Sequence, residues 1–146
     1  MGIRFSASLT NEVGVSREQK LWRAVLVNAI EESTNMQQDR KSSIYKGQAY
    51  VWLINKDGDF EQVCNYGNFD PLQVSNCYHE AVDKGKVWFS ETQIAWIRYH
   101  RQFNIYKNCK EHDSRVYHRK RMEHLRNCVN RSSPTLISMV SLSLLI

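Results

Sequence analysis

Ten cations crowd into residues 98–131 of this chain: Arg98, Arg101, Lys107, Lys110, Arg115, Arg119, Lys120, Arg121, Arg126 and Arg131. Residues 91–131 hold these ten against four Asp/Glu, a balance of +6. Residues 1–90 hold ten Lys/Arg against eleven Asp/Glu, or −1, and residues 132–146 hold none, which together make the net +5. A cationic block on an otherwise balanced chain is suited to neutralising the phosphates of a polyanion, the sequence-independent part of nucleic-acid affinity. DNA is the expected partner. Arg119-Lys120-Arg121 is the densest point, three cations spread over nearly a full helical turn. The competing reading is a solvated face partly paired with Glu111, Asp113 and Glu123.

Metal chemistry is the second possibility in the same stretch. Cys109 and His112 are followed, eleven residues on, by His124 and Cys128. Two thiolates and two imidazoles make a closed tetrahedral zinc site. The order of Cys and His is not that of the usual finger, however, and no ββα pattern joins the pairs. Free thiols and surface histidines are the simpler reading, and no cofactor is expected.

Base-reading chemistry would have to come from elsewhere. Residues 59–66 and 71–84, joined by Gly67-Asn68-Phe69-Asp70, have the size of a helix-turn-helix. In the second segment Gln73 and Asn76, with Ser75 and His79, offer base-edge groups, but the arginine that grips guanine is missing. For an enzyme the sequence has no Gly-rich phosphate loop, nucleophile elbow or paired-carboxylate pattern. Asp57-Gly58-Asp59-Phe60-Glu61 is too short for a calcium loop. The chain is therefore expected not to be an enzyme.

Helices must carry these groups. Two prolines and six glycines in 146 residues favour helices over a turn-rich β fold, and 42% hydrophobic content allows a real core. Ser16-Arg17-Glu18-Gln19 is a capping box, followed by Leu21, Trp22, Val25, Leu26, Ala29 and Ile30 at helical spacing to about Ser33. A second helix is expected over Ser43–Ile54, with Tyr45, Ala49, Trp52 and Leu53 inward, broken by Asn55-Lys56-Asp57-Gly58. Phe60, Val63 and Cys64 face inward in the next, with Gly67 as its C′ residue. Asp70-Pro71 opens the fourth, with Leu72, Cys77, Tyr78, Ala81 and Val82 buried and Gly85 as its stop. Ser90-Glu91-Thr92-Gln93 caps a fifth, whose Trp96, Tyr99, Phe103 and Tyr106 read as a core stripe. Cys109–Ser114 breaks it, and Arg115 to about Asn130 forms a basic last helix with Met122, Leu125 and Val129 on one face.

The expected fold is all-α, about six helices in one bundle over residues 16–131, with the helix-turn-helix-like pair in the middle and the basic pair at the end. Residues 1–15 read as a flexible lead-in. They lack the apolar h-region of a signal peptide, and four cysteines then read as free thiols in a reducing cytoplasm. The apolar tail 132–146 has only twelve residues after Pro134, too few to span a bilayer of ~30 Å, and reads as docked or frayed. No membrane partner is expected; the tail and an exposed tryptophan would suit a homodimer.

Over residues 21–82 the chain resembles small helical proteins common in bacteriophage and prophage genomes. The resemblance is carried by Leu21-Trp22-Arg23-Ala24-Val25-Leu26, by Ala49-Tyr50-Val51-Trp52-Leu53, by Asp59-Phe60-Glu61-Gln62-Val63-Cys64 and by Phe69-Asp70-Pro71. The chain departs from that pattern at Tyr66-Gly67-Asn68-Phe69, where an Ala-Gly-apolar run is usual, and the basic region lies beyond it. The resemblance implies a phage setting in the bacterial cytoplasm and carries over no activity and no site residues. The expected function is a nucleic-acid-binding accessory protein, a regulator of transcription or of another DNA transaction. The alternative is a host-takeover or scaffold protein that docks its basic helices on an acidic surface of a host protein.

Overall fold

A computed structural model of the chain describes residues 14–138. Most of the expected lead-in and the last eight residues of the apolar tail lie outside them. Six helices occur among the described residues: α1 (Arg17–Ser33), α2 (Arg40–Asn55), α3 (Phe60–Tyr66), α4 (Pro71–Asp83), α5 (Glu91–Asn108) and α6 (His112–Arg131). A short antiparallel ribbon joins β1 (Trp88–Ser90) to β2 (Leu136–Ser138), with Phe89 opposite Ile137. The fold is all-α. No helix among the described residues is long and apolar enough to cross a membrane.

Local sequence starts and stops these helices. Ser16 and Gln19 form the expected capping box on α1, each side chain bonding the other's backbone N–H at 3.1 Å. Ser90 and Gln93 repeat it on α5. Asp70 accepts from the Leu72 N–H, and Pro71 sits at N1 of α4, where its missing N–H costs nothing. Helix α2 begins three residues before the expected Ser43, because Asp39 caps it by accepting the Ser42 N–H at 3.0 Å. That moves Arg40 and Lys41 from a loop into a helical first turn. After α3 the left-handed residue is Asn68 (φ 59), one later than expected, since Asn tolerates this region. Gly67 keeps φ −76, and a Cβ there would fit tightly, 3.3 Å from the Val63 carbonyl oxygen and 3.4 Å from the Phe69 ring.

Helices α1 to α4 form a body around Leu26, Ile30, Tyr50, Leu53, Phe60, Val63, Val74 and Tyr78, closed by Val87 and Phe89. The inward faces differ in places from the expected ones. In α2 the buried row is Ser43, Lys46, Gly47, Tyr50, Leu53 and Ile54, while Tyr45 is exposed and Ala49 and Trp52 are half-buried. In α4 the buried row is Val74, Ser75, Tyr78, Ala81 and Val82, with Leu72 turned outward. The shift in α2 has a cause: it is packed by α1, α4 and α5 together, so its inward arc is wider than an apolar stripe. Arg23 ties the α3–α4 turn to α1, donating to the Gly67 carbonyl at 2.9 Å and lying 4.7 Å over the Phe69 ring.

Helices α5 and α6 form an antiparallel hairpin, here called the arm. Helix α5 packs on α2 of the body, where Ile97 meets Gly47 and the Arg40 guanidinium lies against Tyr99 and Phe103. Helix α6 packs chiefly on α5, and of its twenty residues only Val129 is buried.

Candidate nucleic-acid interface

The arm holds together along a narrow seam. Ser114, His118, Met122, Leu125 and Val129 make the covered row of α6, at i, i+4, i+8, i+11 and i+15. At its middle Gln102, 6% exposed, meets His118 with Nε2 and Nδ1 2.6 Å apart. Everything else on α6 faces solvent. A helix of its length extends about 30 Å, a long ridge for so small a protein.

All ten cations of residues 98–131 are exposed. Among the described residues one of them, Arg119, is in an ion pair, 3.7 Å from Glu123 with both side chains more than two-thirds exposed. Such a pair contributes little, on the order of 0–1 kcal/mol. Partial neutralisation by Glu111 and Asp113 does not occur through ion pairs among the described residues. Two cations lean on rings instead. The Arg115 guanidinium lies 5.2 Å from the Tyr106 centroid, and Arg121 donates to the Tyr117 hydroxyl at 3.3 Å.

The aromatic stripe is not core, contrary to expectation. Trp96, Tyr99, Phe103 and Tyr106 are only half-buried and lie outside the main core cluster. The Arg40 guanidinium, itself exposed, lies over three of these rings, 5.9 Å from Trp96, 5.1 Å from Tyr99 and 5.8 Å from Phe103. At ~100° per residue, Tyr99, Phe103 and Tyr106 share one flank of α5, and Arg115, Arg119 and Arg126 share one flank of α6. The Arg115–Tyr106 contact shows that the two flanks meet on the same side of the arm. Arg40 is the residue that sequence reasoning missed; its signal was Asp39-Arg40-Lys41-Ser42, an N-cap followed three residues later by a serine whose N–H it takes.

Gln73 and Asn76 are exposed on α4, but their companions are not available: Ser75 is buried, and the His79 ring nitrogen lies 3.2 Å from the Ile54 carbonyl oxygen. Helix α4 meets α2 at Tyr50 and Ile54, through Tyr78 and His79, whereas the arm meets α2 at Arg40, Lys46 and Gly47. Gln73 and Asn76 thus belong to a helix that the arm's cations do not share. The outer face of α4 adds Asp83 and a Glu80–Lys84 pair, so it is not cationic.

The four candidate zinc ligands do not come together. Cys109 and His112 sit at the tip of the arm, and His124 lies about 18 Å down α6 from His112. His124 and Cys128 are neighbours at 3.7 Å, and all four cysteines are free. Among the described residues no group of three or more His, Cys, Asp or Glu could hold a metal ion.

The root of the arm contains a cation of another kind. Lys46, 1% exposed, donates to the Asn35 carbonyl at 2.6 Å, to Gln93 Oε1 at 3.1 Å and to the Trp88 carbonyl, with the Phe89 ring 4.6 Å away. Gln93 in turn donates to the Asn35 and Gln37 carbonyls at 3.2 and 2.8 Å. All three ammonium protons have acceptors, none of them a carboxylate, and burial pushes the Lys46 pKa down to about 8. This cluster positions the arm; it is closed to a ligand. A groove of about 460 Å³ between α1 and α2, lined by Val25, Ala29, Tyr45, Ala49, Trp52 and Asp59, is mainly apolar.

Compared with protein-family models, with curated proteins and with solved structures, the chain finds no match, so the geometry of the arm stands as the guide to what it does.

Proposed function

We propose that the protein binds nucleic acid through the α5–α6 arm and acts as an accessory factor in transcription or another DNA transaction. One observation carries this reading: nine exposed cations lie on two antiparallel helices with a tenth, Lys110, at the turn between them, and one ion pair opposes them among the described residues. Such a ridge repels itself, and phosphates relieve that repulsion while releasing their own counterions. The phage setting that the sequence resemblance implies accords with it. Residues Arg98, Arg101, Lys107, Lys110, Arg115, Arg119, Lys120, Arg121 and Arg126 are the phosphate contacts of this reading; Gln73 and Asn76 lie on α4, outside the arm.

A second reading, an acidic surface on a host protein, draws on Ile105, Val116 and Tyr117, which are 44%, 41% and 57% exposed amid the cations. Salt dependence separates the two. Fluorescence anisotropy of a labelled nucleic acid, from low to physiological salt, is expected to give a steep log–log slope set by several neutralised phosphates. Changing Arg119, Lys120 and Arg121 together to Glu is expected to abolish binding while leaving the thermal melt within about 0.5 kcal/mol per site, as for exposed positions generally. Absence of binding at low salt overturns the nucleic-acid reading and favours the protein surface, whose apolar centre is less sensitive to salt.

A further inference from the structure

The ring-bearing side of the arm suggests which form of nucleic acid it takes. Trp96, Tyr99, Phe103 and Tyr106 run along α5 partly buried, with the exposed Arg40 guanidinium over the first three and the exposed Arg115 guanidinium against Tyr106. Trp96 and Tyr99 pack edge to face, 5.8 Å between centroids, so the row is ordered and not a loose apolar patch. Each guanidinium has rings on one side and solvent on the other, since both arginines are exposed. On the adjoining flank Arg115, Arg119 and Arg126 span eleven residues of α6, about 16 Å. A stacked strand rising ~3.4 Å per nucleotide places about five phosphates along that length.

We propose that this side of the arm binds single-stranded nucleic acid, with unpaired bases stacking against the Arg40 and Arg115 planes and the ring edges beside them, and with phosphates on Arg119 and Arg126. The inference rests on the nucleic-acid reading above and narrows it. A duplex presents phosphates equally well but keeps its base faces inside the stack, where rings and guanidinium planes gain nothing from them. Stacking is indifferent to base identity, because every base has a π-face, and it needs none of the base-edge groups that α4 fails to supply. Arginine suits the role better than lysine, whose ammonium has no plane to stack.

The test compares one labelled strand of mixed sequence with its own duplex at matched salt, on the full chain, with DNA and RNA strands in parallel. The single strand is expected to bind about tenfold more tightly than the duplex, and the tighter of the DNA and RNA strands identifies the sugar. Arg40→Lys keeps the charge and removes the plane; Tyr106→Leu keeps the apolar contact and removes the ring. Each is expected to weaken strand binding about fivefold with the salt slope and the duplex affinity unchanged. Far-ultraviolet dichroism confirms that both variants keep their helices. Duplex bound as tightly as the strand, or strand binding indifferent to both substitutions, overturns the single-strand assignment while leaving nucleic-acid binding intact. No binding of either form at low salt removes the wider reading and this one with it.

Discussion

Leu53 in α2 and Leu125 in α6 sit at similar helical spacing in one chain, yet Leu53 has no exposed surface and Leu125 stays partly open. The body surrounds each of its central helices with neighbours, whereas the arm gives each helix one partner over most of its length. Apolar burial therefore holds the body, and a thin seam holds the arm. Charge follows the same division: the body is nearly balanced, and the arm carries the excess. A surface freed from packing duty is where cations and half-exposed rings can be kept for a partner.

The sharpest way to break this comparison is to cut equally into both regions. Leu53→Ala is expected to cost about 2–5 kcal/mol, through lost transfer energy and a cavity that the surrounding helices cannot fill. Leu125→Ala is expected to cost about 1 kcal/mol, because its site already meets water. Urea midpoints of the two variants check this, and equal losses would mean that the arm is as deeply packed as the body.

The joint between the regions gives an intermediate effect. A Cβ on Gly47 would lie 2.7 Å from Ile97 Cδ1 and 2.9 Å from Cγ1, so Gly47→Ala pushes α5 away from α2. Overpacking of this kind costs about 1–3 kcal/mol, offset by about 1 kcal/mol of better helix propensity. Combining Gly47→Ala with Ile97→Ala is expected to cost less than the sum of the two single changes, a coupling that a double-mutant cycle measures.

Titration gives the smallest signal, and it comes from the body alone. Lys46 falls from its ordinary 10.5 to about 8 in the folded chain, so above pH 8 the unfolded state holds the extra proton and stability rises with pH. The slope is at most about 1.4 kcal/mol per pH unit. Burial raises the Cys64 thiol from 9.0 to about 11 and lifts the Tyr50 and Tyr78 hydroxyls above their usual 10.0, with nearby charges adding to it. Those groups lose stability as their unfolded forms ionise, from about pH 9 upward for Cys64. Denaturant midpoints should therefore rise between pH 8 and 9, level off while the Cys64 loss offsets the Lys46 gain, and fall above about pH 10 as the tyrosines add to the loss. In Lys46→Met the rise should vanish and only the fall remain.

Much of the helical frame was legible in the sequence because its boundaries are written locally. Capping boxes at Ser16 and Ser90, and Asp70-Pro71, need no tertiary information. The inward faces were less legible. A lysine inside α2 is unreadable as core until Asn35, Trp88 and Gln93 supply its acceptors from 11, 42 and 47 residues away. The cations of the arm were visible as composition, but the aromatic row beside them was misread. Spacing of i, i+3, i+7 and i+10 is the same for a packed stripe and for a half-open one; what differs is the number of neighbouring helices, a property of the whole fold. The Cys/His pattern, already read as free thiols and surface histidines, is drawn apart in space because the antiparallel path of the hairpin sets its two pairs far from each other.

Both roots of the arm are fastened. The first turn of α5 is fixed by the Lys46–Gln93 cluster, and the end of α6 returns to it through Ser132 on Thr92 at 2.8 Å, the Ser133 N–H on the Glu91 carboxylate at 3.0 Å and the ribbon beyond. The tip, residues 109–111, is a short exposed turn. The arm is thus a hoop closed at its base, and its reach is set at the one place that nothing else depends on. Whole helical turns could be added or removed there, in matched pairs on α5 and α6, without disturbing a single contact of the body. Over generations such a protein can lengthen or shorten its grip while its foundation stays as it is.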